Sequence, residues 1–102
     1  MSPDQAKVRR ESLRWLILLT LNNARPIGAY EGPILAVAQS EYPDATPLEL
    51  RRELDYLAGR GLVDVRKEPS GRWAAALTRH GTDVAEYTVE CESGIARPAK
   101  YW

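Results

Sequence analysis

The sequence predicts an α+β domain that is mainly helical, with a three-helix core, a two-stranded hairpin and a C-terminal helix. Three observations carry that expectation. At 102 residues the chain has room for one core and not for two. Its apolar residues recur with a helical period through the first half and then change to strand-like alternation. Between the two, Thr46-Pro47-Leu48-Glu49 has the pattern of a capping box, and Gly59 and Gly61 mark where the helix that it opens must stop.

The first helix opens at Ser2, with Pro3 at the first helical position and Asp4 at the positive end of the helix dipole. Leu13, Leu16, Ile17, Thr20 and Leu21 share one face, and Trp15, Leu18 and Leu19 form a second apolar stripe. A helix apolar on most sides is buried on most sides. It therefore lies at the centre of the fold, or it turns Trp15, Leu18 and Leu19 toward another chain. Asn22-Asn23 and Pro26 end it, and residues 24–32 read as a connection. Pro33 opens a second helix through Ile34, Leu35, Val37 and Ala38. Tyr42-Pro43 closes it, because the residue before proline is pushed away from helical angles.

In the third helix, residues 46–60, Leu50, Leu54 and Leu57 point inward. Leu62, Val63 and Val65 begin a strand that continues through Arg66, Lys67 and Glu68. Pro69-Ser70-Gly71 is a turn, and Trp73, Ala75 and Leu77 alternate on the return. Thr78 caps a last helix from Arg79 to Tyr87. No period survives from Glu90 to Trp102. The organisation expected is thus one domain over 1–89 and an irregular tail over 90–102, whose last residues, Tyr101 and Trp102, are candidates to dock into a groove.

Composition narrows the function. A hydrophobic fraction of 44% with 27% charged residues is ordinary for a soluble globular protein. The apolar run Trp15 to Leu21 is too short to span a bilayer and is followed by no small-residue cleavage site, so a cytoplasmic protein without membrane contact is expected. One cysteine, Cys91, and one histidine, His80, make neither a disulfide nor a structural zinc site. No glycine-rich phosphate loop and no triad spacing is present, which points to binding rather than catalysis, with no cofactor. The 14 basic and 14 acidic residues cancel. That balance weighs against a partner held by phosphate contacts.

One stretch resembles a known family. Leu50-Arg51-Arg52-Glu53-Leu54-Asp55-Tyr56-Leu57-Ala58-Gly59-Arg60-Gly61-Leu62-Val63 is similar to the recognition helix and first wing strand of bacterial winged helix-turn-helix regulators. Leu77-Thr78-Arg79-His80-Gly81 resembles the Leu-Thr-x-x-Gly joint after the wing in the PadR- and MarR-like groups. The likeness runs from Leu13 to Tyr87. It does not extend to Gly94-Ile95-Ala96-Arg97-Pro98, and the chain lacks the long dimerisation helix of those regulators. Small winged-helix proteins of this size and composition also occur in prophage gene sets.

The resemblance implies a transcriptional regulator, a dimer, that reads duplex DNA with helix 46–60 in the major groove and wing 62–77 on the backbone. At about 100° per residue, Leu48, Arg52 and Tyr56 point out with Glu49 and Asp55 beside them, and Arg51 sits at the flank. Arg52 then reads a base, since guanidinium pairs with guanine in two places. Arg51 meets phosphate, Tyr56 adds a hydroxyl contact, and Thr46 and Leu48 lie where the helix enters the groove. Arg66, Lys67 and Arg72 give the wing a local cationic excess, and Lys7, Arg9, Arg10 and Arg14 form a basic patch on the first helix. The same residues also read as solvated faces held by weak pairs, and hairpin charges as protection of an edge. The alternative is a winged-helix protein-interaction module, assembling through Trp15, Leu18 and Leu19 as a homodimer or with a protein partner.

Overall fold

A computed structural model describes residues 2–100. The elements run α1 (Pro3–Asn23), β1 (Ala29–Tyr30), α2 (Glu31–Glu41), α3 (Pro47–Gly59), β2 (Val63–Lys67), β3 (Trp73–Leu77) and α4 (Arg79–Ala85). The docking expected of Tyr101 and Trp102 lies outside the described residues. This is the winged-helix arrangement that the sequence predicts.

The start of α1 is a full capping box. The Ser2 hydroxyl accepts from the Gln5 amide, and the Gln5 side chain accepts from the Ser2 amide. Both apolar stripes of this helix are buried: Leu13, Ile17 and Leu21 from one, Trp15 and Leu18 from the other. The helix therefore passes through the centre of the fold, in contact with α2, α3, α4 and β3. That corrects the partner surface expected of Trp15, Leu18 and Leu19. Leu18 is fully buried, and Trp15 meets Tyr87 edge to face with ring centroids 5.9 Å apart. Leu19 alone of the three reaches the surface.

The sheet has three antiparallel strands in the order β1-β3-β2, not two. The added strand is the short β1, in which Ala29 faces Ala75 and Tyr30 faces Ala74. Gly28 permits the approach. Its φ is +86°, and a Cβ there would collide with the Ala75 carbonyl. In the hairpin Val63 pairs with Leu77 and Lys67 with Trp73, so Val63, Val65, Lys67, Trp73, Ala75 and Leu77 share one face.

The Leu-Thr-x-x-Gly joint has a mechanical reason. The Thr78 hydroxyl accepts from the Gly81 amide and donates to the Gly61 carbonyl at 2.7 Å, tying the start of α4 to the end of α3. Gly81 lies so close to the Leu62 carbonyl that a side chain there would overlap backbone. The last helix ends at Ala85 rather than Tyr87. Tyr87 takes φ +63° and turns the chain back across Trp15.

Over residues 90–100 there is neither helix nor strand, but the segment is held. Ile95 is 7% exposed and enters the core, and the Ala96 amide donates to the Glu11 carbonyl. Arg97 donates to the carbonyls of Val84 and Val89, and the Tyr87 hydroxyl donates to that of Pro98.

Candidate nucleic-acid interface

The third helix is placed by its leucines. Leu50, Leu54 and Leu57 are buried in the core, which fixes the rotation of α3 and turns Leu48, Arg52, Asp55 and Gly59 outward. Its N-terminus is capped by Thr46, whose hydroxyl accepts from the Glu49 amide. The reciprocal half of the expected box is absent, because the Glu49 carboxylate is turned to Arg9.

That detail belongs to a larger pattern along the seam between α1 and α3. Arg9 donates to both carboxylate oxygens of Glu49 at 2.7 Å and to Asp44 at 2.9 Å. Those hydrogen bonds, that to Glu49 first, raise the pKa of Arg9 further above the ordinary arginine value. One turn on, Arg14 donates to Glu53 at 2.7 Å, with side chains only 11% and 6% exposed. Arg14 also donates to the Gly94 carbonyl and lies 3.5 Å from the centre of the Tyr56 ring. Two acidic residues of the third helix are therefore consumed inside the protein. What α3 shows to solvent is then Arg52 beside Asp55.

The expected site residues then separate. Leu48 is 60% exposed and Arg52 is exposed, with no acidic partner among the described residues. Arg66 and Lys67 on β2 are 67% and 56% exposed, loosely opposed by Glu68 at 3.5 Å and Asp55 at 3.6 Å. Such exposed pairs are worth little and exchange readily. Arg72 lies 3.6 Å over the Tyr30 ring. Tyr30 in turn donates to Glu68, so the ring that supports Arg72 is itself fixed.

Two expected site residues are engaged within the protein. Arg51 faces inward across the wing, donating twice to Glu31 and once to the Gly71 carbonyl and packing 4.8 Å from the centre of Trp73. It joins α2 to the tip of the hairpin. Tyr56 leans about 40° from Arg52 toward α1. Its ring sits between Arg14 and Arg60 and beneath Gly94, where a Cβ would strike its hydroxyl. The basic patch of the first helix also shrinks: Lys7 pairs with Glu11 at 4.0 Å, Arg9 and Arg14 face the seam, and Arg10 alone of the four has no acidic partner among the described residues.

Among the described residues no helix is long and apolar enough to cross a membrane, and no three His, Cys, Asp or Glu side chains converge as a metal site. Burial, chiefly, pushes the Cys91 thiol above its ordinary pKa.

No family model and no curated protein matches the chain. Among solved structures, it is similar to a protein of Ralstonia eutropha JMP134 described as a "putative DNA-binding protein". The TM-score is 0.63 and the identity 29%, over 76% of this chain and 95% of that one.

Proposed function

We propose that this protein binds duplex DNA as a transcriptional regulator of the bacterial winged-helix kind, without catalysis. The outward strip of α3 enters the major groove, and the β2–β3 hairpin rests on the flanking backbone. The observation that carries the reading is the division of charge at α3. Glu49 and Glu53 are neutralised by Arg9 and Arg14, so Arg52 stands on the outer strip with the wing cations Arg66, Lys67 and Arg72. The likeness to the Ralstonia protein supports the same class of partner.

In this reading Arg52 meets a guanine edge, which is worth about 1–3 kcal/mol of discrimination between bases. Thr46 and Leu48 border the groove at the entry of the helix. Arg66, Lys67 and Arg72 meet phosphates and carry no sequence information. A gel-shift series on specific and random duplexes tests it. Arg52→Ala flattens the preference among sequences, whereas Arg66→Ala with Lys67→Ala weakens all duplexes alike. If both variants bind every duplex as the parent does, this face is not the one that meets DNA.

A further inference from the structure

Arg9 and Arg10 of α1 face Glu49, Arg52 and Glu53 of α3 across an open hollow of about 380 Å³, with Asp44 at its edge. Every carboxylate in it already holds a guanidinium: Asp44 and Glu49 take Arg9, and Glu53 takes Arg14. Arg10 and Arg52 are the two charged groups left over. Both are exposed and neither has an acidic partner among the described residues. With Arg14 included, four guanidiniums stand against three carboxylates, and the surplus charge lies on the solvent side.

The geometry points to a phosphate site in this hollow. Resting on the duplex-binding reading above, Arg10 contacts a backbone phosphodiester of the strand whose base edge Arg52 meets. The first helix is then a third DNA-contacting element beside α3 and the wing. Guanidinium suits the task because its planar fork can donate two parallel hydrogen bonds to phosphate oxygens. Neighbouring cations do not substitute for it. Arg9 is held by two carboxylates, and Lys7 lies a turn away against Glu11.

The test is fluorescence anisotropy on a labelled random-sequence duplex across a series of salt concentrations. Arg10→Ala is expected to weaken binding about fivefold at ~0.1 M salt and to reduce the slope of log affinity against log salt by about 0.9, one phosphate contact. Arg10→Lys restores the slope. Alanine is the best helix former, so the exposed site tolerates the change. Arg25→Ala removes the same charge just past the other end of α1, about 20 Å away by helical rise, and leaves the slope unchanged. Parent-like binding by Arg10→Ala, or an equal loss in Arg25→Ala, overturns the phosphate site and leaves the duplex reading standing. If the parent binds no duplex, the duplex reading falls. The hollow is then judged by titration with inorganic phosphate: shifts confined to the Arg10 and Arg52 Nε–H signals uphold an anion site there, and their absence ends it.

Discussion

The two sides of α3 use the same chemistry to opposite ends. Toward α1, arginine meets carboxylate at 2.7 Å in the Arg9–Glu49 and Arg14–Glu53 pairs, and the second pair is nearly dry. Toward solvent, Arg52 and the wing arginines and lysine meet a ring, a distant carboxylate or nothing. The inner seam takes up Glu49 and Glu53 of the helix, and its outer strip keeps Arg52 beside Asp55. Net charge belongs to the sequence, and what a partner meets depends on which charges the fold has already matched.

The comparison predicts that seam substitutions cost stability and outer substitutions cost binding. The largest effect is Arg14→Ala. It strands Glu53 in a buried site, frees the Gly94 carbonyl and uncovers Tyr56, so urea denaturation should show a loss of about 3–5 kcal/mol. Replacing both partners, Arg14→Met with Glu53→Leu, should recover much of that loss, because an apolar pair of similar volume leaves no unmatched charge. A double mutant as unstable as Arg14→Ala alone would mean that the Gly94 and Tyr56 contacts, and not the ion pair, hold the seam.

Next comes Ile95→Ala, expected to cost about 2–4 kcal/mol through the cavity it leaves. Proteolysis near residue 90 should accelerate in that variant; an unchanged cleavage rate would show that the backbone bonds of Arg97 and Ala96 suffice to hold the segment. On the outer side, Arg52→Ala should leave the denaturation midpoint within about 0.5 kcal/mol of the parent. A larger loss would place Arg52 among the structural arginines.

The smallest effect concerns pH. The hydrogen bond from Arg51, chiefly, holds the Glu31 pKa below its ordinary value of 4.5. A depressed carboxylate adds stability that is complete above the unfolded value and disappears as pH falls through the folded one. Stability of the parent should therefore fall faster below pH 4.5 than that of Glu31→Gln. Parallel acid limbs would show that this partly exposed bridge contributes nothing.

Much of the fold was legible because its signals are local. The leucines of the third helix, Thr46 as cap, the Pro-Ser-Gly turn and the Thr78 joint each lie within a few residues of what they organise. The rotation of α3, and with it the outward position of Leu48 and Arg52, followed from the leucine spacing alone. The seam was not legible. Arg9 reaches Glu49 across 40 residues, and Arg14 reaches Gly94 across 80, and no periodicity announces such pairs. Tyr56 sat close enough to the outward direction to be read as exposed, and only the arrival of Gly94 over its ring decides otherwise. Two-residue β1 is too short to alternate, though a glycine placed just before it was a usable hint. The acid that Arg51 holds, Glu31, lies on another helix 20 residues away, beyond the reach of a local pattern.

The central claim is that Arg52 on the outer strip and the loosely paired cations of the wing meet duplex DNA. Binding of the unmodified protein to a labelled random duplex, followed by anisotropy from low salt upward, tests it most directly. Contacts from Arg10, Arg66, Lys67 and Arg72 predict a straight fall of log affinity with log salt, with a slope of about 3–4. Binding that ignores salt, or no binding at the lowest salt, would contradict it.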